Sequence, residues 1–150
     1  MDFITFSVND NEYAIEMSYV EEVAESLKIT FVPNTYDFVA GAVNLRGEIT
    51  PVIILTSIEG ISKSRSLEKA IPSDNGNYHL IFVKINTRTV GLKVDKLNGI
   101  ISFDKEQLKP IGEITTDKSP SCFTGATVIN NKLIIIIDVN NLINKEVINI

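Results

Sequence analysis

A repeat runs through this 150-residue chain and limits its fold more than any other feature of the sequence. Phe3 to Val8 aligns with Leu80 to Ile85 at a shift of 77, and the same shift sets the turn Asn9-Asp10-Asn11 on Asn86-Thr87-Arg88. It also sets Ala14-Ile15 on Gly91-Leu92, Val20 on Leu97 and Val23 on Ile100. The shift then grows to 84, where Gly41 meets Gly125, Ile49 meets Leu133 and Val52-Ile53 meets Ile136-Ile137. The pattern describes two copies of one β unit, each with a hairpin, a turn, a second apolar hairpin and a short helix. Two such sets without long intervening helices predict a mainly β chain of small barrels, because closure removes the adhesive edges of isoleucine-rich strands.

Local signals fill in this scheme. Ile4, Phe6 and Val8 alternate with Thr5 and Ser7, the period of a half-buried strand, and Asn9-Asp10-Asn11 supplies turn chemistry. Met17, Val20, Val23 and Ala24 fall at three- and four-residue spacing, which predicts a short helix over 17–25 that exposes Glu21 and Glu22 and buries Val20. Val39 to Leu45 and Glu48 to Leu55 read as paired strands, with Pro51 at an edge or a bulge of the second. A polar stretch from Gly60 to Asn77 forms the seam between the copies. Strands resume over Tyr78 to Ile85 and Thr89 to Val94, followed by Lys96 to Phe103 and an irregular stretch from Pro110 to Ser121. The hairpin Phe123 to Asp138 turns at Asn130-Asn131, residues that tolerate left-handed backbone, and Val139 to Asn144 suits a last short helix.

Composition narrows the function. With 44% hydrophobic residues the chain is long enough for one compact domain, or two small units sharing a core, without staples. One cysteine, Cys122, and one histidine, His79, supply neither an internal disulfide nor a usual zinc site, which fits a reducing compartment. The N-terminal residues lack the pattern of a secretory signal, and the apolar run Leu133 to Ile137 is far short of the about 20 residues of a membrane-spanning helix. A soluble, cytoplasmic protein is expected. A net charge of −5 argues against nucleic acid, and the basic cluster from Lys63 to Lys69 is interrupted by Glu68 and reads as a solvated loop.

No catalytic, metal or cofactor constellation emerges. Nothing in the sequence brings Cys122 to His79, so His79 reads as an ordinary strand residue and Cys122 as a small loop or core residue. Asp95 and Asp138 each follow an apolar strand; paired carboxylates can do acid–base work or hold a hard cation, yet both positions suit strand ends, and Asp138 suits a helix cap. The glycines are spread singly and make no phosphate-cradling loop. The segment Phe38 to Ile53 is different. It lifts Arg46 toward solvent at the tip of an apolar hairpin, beside a glycine that can take the positive φ of a tight reversal. An arginine held there is placed to grip a partner through its planar fork, although a solubilising turn residue would sit in the same place.

The motif Gly41-x-x-Asn44-Leu45-Arg46-Gly47-x-Ile49-x-Pro51-Val52-Ile53 resembles the CheW-like family of bacterial chemotaxis coupling proteins. Three further places resemble it in order: Glu12-Tyr13-Ala14-Ile15 through Val20-Glu21-Glu22-Val23; Val90-Gly91-Leu92-Lys93-Val94-Asp95; and Gly125 through Leu133 to Asp138. Val32-Pro33 also stands ahead of Gly41, so the resemblance covers nearly the whole chain. It implies one CheW-like domain over 1–150, built of two SH3-like five-stranded barrels in tandem with a few short helices. It also implies a non-catalytic adaptor without cofactor or metal, which bridges the cytoplasmic tips of chemoreceptors and the regulatory domain of a CheA-type histidine kinase at the inner face of the membrane. Carried onto matching positions, the receptor-facing residues are Val20, Glu22, Gly41, Asn44 and Arg46. The kinase-facing surface would lie at barrel ends rather than in a motif. The chain departs from the family at Ile54, where an acidic or amide residue is common, and at Thr56 or Ser57, where a basic one is. The alternative reading is a small β-barrel protein that binds a soluble ligand between its halves, in a cleft that Gly41, Gly125 and the seam would suit.

Overall fold

The computed structural model describes residues 1–35, 38–55, 77–110 and 122–142. Ten strands follow one another along the chain: β1 (Asp2–Val8), β2 (Asn11–Glu16), β3 (Val20–Glu25), β4 (Val39–Leu45), β5 (Glu48–Ile54), β6 (His79–Ile85), β7 (Arg88–Val94), β8 (Lys96–Ser102), β9 (Phe123–Ile129) and β10 (Lys132–Ile137). Single 3-10 turns stand at Met17–Tyr19, Lys105–Gln107 and Val139–Asn141. Moved by 77, β1, β2 and β3 fall on β6, β7 and β8 to within a residue at their ends; moved by 84, β4 and β5 fall on β9 and β10 in the same way. The repeat read from the sequence is thus the repeat of the fold.

The copies do not fold side by side. One five-stranded sheet has the order β8-β1-β2-β10-β9 and the other β3-β6-β7-β5-β4, so each copy gives its first hairpin to the sheet that the other copy completes. The joints correspond. Hairpin β1–β2 joins β8 on one side and runs parallel to β10 on the other, and hairpin β6–β7 does the same with β3 and β5. Each sheet then curls until its edges approach. The chain leaving edge strand β3 bridges to edge strand β4 through Thr30 and Ala42, and the chain leaving β8 bridges to β9 through Lys109 and Ala126. Closure on these bridges gives the two small barrels expected. We call the one containing β1 barrel A and the one containing β6 barrel B.

Exchange of hairpins explains where the core lies. Ile4, Phe6 and Val8 of β1 and their counterparts Ile81, Val83 and Ile85 of β6 face a common apolar core between the barrels, which Tyr13, Ile15, Val90, Leu92 and Val94 share. The opposite faces fill the barrels. Tyr78, Leu80 and Phe82 pack inside barrel B with Ile29, Val43 and Val52, whereas Phe3 stacks on Phe103 inside barrel A beside Ile134 and Ile136. The half-buried reading of β1 is therefore corrected: Phe3 and Thr5 are buried too, because this strand has a core on each side. Cys122 lies in the common core, where burial pushes its thiol up to about 11. That is the opposite of an activated nucleophile.

Two other expectations change. The helix over 17–25 is a 3-10 turn followed by strand β3, which pairs with β6 from Val20 to Glu25. Helical spacing arose from a β-bulge: Glu21 is an extra residue between the pairs Val20–Val83 and Glu22–Phe82, so it shifts the strand's alternation by one. As a result Glu21 is exposed but Glu22 is largely covered, Val23 points outward, and Val20 packs only partly against the common core. Pro51 is not on an edge strand, since β5 lies between β7 and β4. It stands one residue before the parallel ladder with β7 begins at Val52, where a missing N–H costs nothing. The seam over 60–77 falls almost wholly outside the described residues, as do the cluster 63–69, Thr56 and Ser57, the stretch 111–121 and the end of the last expected helix.

Candidate functional site

The β4–β5 turn is made by Arg46 at φ 53° and Gly47 at φ 86°, and two consecutive positive φ values define the tight hairpin whose twist suits the flanking strands. Asn44 completes it, because its side-chain oxygen accepts the Gly47 backbone N–H at 2.8 Å. The Arg46 guanidinium reaches across the barrel mouth to form an ion pair with the Glu22 carboxylate on β3. Glu22 sits on edge strand β3 and Arg46 on the turn that follows edge strand β4, so the pair ties the edges together beyond the Thr30–Ala42 bridge. Three-quarters of the Arg46 side chain stays exposed, against 27% for Glu22. The donors that Glu22 does not use therefore face water. Gly47→Val should lower folding stability by about 1–2 kcal/mol, since a β-branched residue is strained at this φ. Chemical denaturation checks it.

Gly41 contributes by what it lacks. A Cβ there would lie 2.2 Å from the Thr30 carbonyl oxygen, so only glycine lets the 29–30 segment lie across β4. Gly125 holds the corresponding place under Lys109, with 3.0 Å to its carbonyl oxygen. The two glycines lie beneath the bridging segments at the barrel edges, while the common core packs between the barrels; the seam that would complete a cleft there falls almost wholly outside the described residues. Five sequence-selected positions, Val20, Glu22, Gly41, Asn44 and Arg46, thus lie on the two edges of barrel B. Arg46 and Glu22 are in contact, Asn44 supports the turn beneath them, Gly41 is buried, and Val20 lies one residue before the β3 bulge.

One exposed residue adds to this rim without having been singled out as a site. Ile49, directly opposite Asn44 in the β4–β5 ladder, is 85% exposed. Its outward direction was readable from the inward parity of Thr50 and Val52. Barrel A carries a different surface at the equivalent positions. Gly99 and Asn130 replace the Glu22–Arg46 pair, Val128 replaces Asn44, and Val128 lies opposite Leu133, with Val128, Leu133 and Ile100 all exposed. Exposed apolar residues thus occur on both barrels, since Val23 and Ile49 hold the places of Ile100 and Leu133; the barrels differ in the Arg46–Glu22 pair of barrel B and in Val128, which stands in barrel A where barrel B has Asn44.

The remaining candidates have structural partners. Asp95 accepts the Asn9 backbone N–H at 2.8 Å and so secures the β1–β2 turn, and Asp138 accepts from Asn140 N at 3.0 Å to cap the 3-10 turn after β10. His79 faces Glu25 across the β6–β3 ladder at 3.8 Å. Among the described residues no group of three His, Cys, Asp or Glu side chains is placed to hold a metal ion, and no helix is long and apolar enough to cross a membrane.

The chain is thus a pair of interlocked small β-barrels that exchange hairpins, with a guanidinium latch on the rim of one of them. The CheW-like domain model matches residues 2–147, and the chain belongs to that family. Among curated relatives, the chain is 29% identical to the chemotaxis protein CheW of Thermotoga maritima over 144 residues, covering 96% of this chain and 88% of that protein. It is 28% identical to CheW of Klebsiella aerogenes over 145 residues, covering 97% and 82%. The crystal structure of the scaffolding protein TtCheW from Thermoanaerobacter tengcongensis superposes with a TM-score of 0.78 at 30% identity, covering 95% of this chain and 87% of that one.

Proposed function

We propose that this chain is a chemotaxis adaptor that couples chemoreceptors to a CheA-type histidine kinase and does no chemistry of its own. The observation that carries the reading is the rim of barrel B, where Arg46 of the β4–β5 turn meets Glu22 of β3 near the exposed Ile49, in a chain that belongs to the CheW-like family. Arginine combines bidentate hydrogen bonding with a stackable plane, and an apolar neighbour that can be desolvated raises the worth of such a contact. Receptor tips engage this rim. The kinase regulatory domain, itself CheW-like, docks on the apolar face of barrel A around Ile100, Val128 and Leu133, so the two partners do not compete. The whole chain acts as one domain at receptor arrays on the inner face of the membrane.

The direct test is co-sedimentation. Adding the chain to receptor-containing membranes and soluble kinase should carry the kinase into the pellet, and omitting it should leave the kinase in the supernatant. Val128→Asp combined with Leu133→Asp should abolish carriage of the kinase while the variant itself still pellets with the receptors. A folded wild-type chain that binds neither partner refutes the proposal.

A further inference from the structure

We infer that Asn98 is a site of spontaneous covalent modification, at which its side-chain amide closes on the backbone nitrogen of Gly99 and converts to aspartate and isoaspartate. Asn98-Gly99 is one of two Asn-Gly pairs in the chain; the other, Asn75-Gly76, lies outside the described residues. Asparagine followed by glycine is the pair least hindered for this ring closure, because no side chain on the second residue blocks the approach of its nitrogen. A regular strand suppresses the reaction by fixing the backbone. Asn98 is not in a regular stretch: Thr5 pairs with Gly99 and Phe6 with Leu97, so Asn98 is the extra, unpaired residue of a bulge on edge strand β8. Both residues are exposed, Gly99 has φ 132°, and no heavy atom lies within 4 Å of where a Cβ on Gly99 would stand. The exposed Asn98 side chain reaches its neighbour's nitrogen by leaving its hydrogen bond to Ser7 Oγ for water.

The chemistry balances with water alone. Gly99 N gives up its proton as it forms a bond to Asn98 Cγ, the Cγ–Nδ2 bond breaks, and ammonia departs to leave a five-membered imide. Water then opens the ring at one of its two carbonyls. Opening at the former backbone carbonyl routes the main chain through Cγ as isoaspartate, and opening at Cγ gives aspartate.

The other copy shows why an amide stands here and what its loss does. The corresponding bulge residue in barrel B is Glu21, whose carboxylate accepts from Thr89 Oγ1 at 2.6 Å and lies 3.9 Å from Lys84. In barrel A the counterparts of Lys84 and Thr89 are Ser7 and Glu12, which face each other in the ladder. Asn98 Nδ2 donates to Ser7 Oγ at 2.8 Å. Conversion removes that donor and brings a carboxylate toward Glu12, whose own cation, Lys132 at 3.7 Å, is already paired with it, whereas barrel B offered a hydroxyl and Lys84. It also sets a charge on the strand that carries Ile100, although the chemistry does not depend on the role proposed for that face.

The test is ageing of the full-length native protein at mildly alkaline pH and physiological temperature, followed by peptide mapping and isoaspartyl methyltransferase labelling. The expected result is a mass gain of roughly one dalton on the peptide containing Asn98, resolved into two forms of which one accepts methyl label. Asn98→Gln should abolish it, because the glutamine side chain closes a larger ring far more slowly. Asn98→Asp, which supplies the aspartate product directly, should show a lower thermal midpoint than the wild type. An intact Asn98 peptide after ageing that converts Asn75 overturns the proposal, and so does the absence of conversion at both sites.

Discussion

Cut within 60–77 and separated, neither half of this chain should retain a cooperative fold. The first half would keep β1 to β5, but its hairpin β1–β2 would lack both sheet neighbours, β8 and β10, and its strands β3 and β5 would lack β6 and β7. The second half would be left in the mirror situation. Both would expose their part of the common core: Ile4, Phe6, Val8, Tyr13 and Ile15 on one side, Ile81, Val83, Ile85, Val90 and Leu92 on the other. Burying each such side chain contributes about 1.5–3 kcal/mol, and a whole domain is stable by only about 5–15 kcal/mol, so losing one wall of this core exceeds the margin. The expected readout is a broad, non-cooperative melt and dye binding for each purified fragment, with a sharp transition returning on mixing. Two fragments that each melt cooperatively as monomers would contradict the exchange of hairpins as the basis of stability.

The sequence disclosed the repeat but not the exchange, and the reason is physical. Apolar parity along β1 and β6 survives duplication because both strands occupy the same kind of place, so Phe3 to Val8 and Leu80 to Ile85 align whichever partners they take. Strand pairing between copies leaves no mark in a comparison of one copy with the other. The region after Met17 misled for a second reason: a bulge at Glu21 shifts a period of two by one residue, and over eight residues that imitates a helix. At the rim, the turn glycine and the outward arginine were legible from local rules. The contact from Arg46 to Glu22 was not, because it spans the closure of a barrel between strands at opposite ends of the sheet order. Nor was Asn44 legible as the support of the turn: the resemblance marked it as receptor-facing, and only the structure shows its side-chain oxygen accepting the Gly47 N–H.

Arg46 should separate binding from stability more sharply than any other residue. Its side chain is three-quarters exposed, and an exposed ion pair contributes about 0–1 kcal/mol, so Arg46→Ala should change folding stability by no more than about 0.5–1 kcal/mol. Affinity for a receptor cytoplasmic fragment should fall much further, by about 2 kcal/mol or roughly 30-fold, as expected when an arginine anchor is truncated. Arg46→Glu should be worse still, because it sets a second carboxylate against Glu22 and presents a like charge to any acceptor on the receptor. Binding of the kinase regulatory domain should be unchanged in both variants, since that partner is assigned to the face of barrel A that carries Val128 and Leu133. Unaltered receptor affinity in a well-folded Arg46→Glu chain would return Arg46 to the role of a solubilising turn residue. Equal loss for receptor and kinase would instead place both partners on one rim and overturn the division of labour between the barrels.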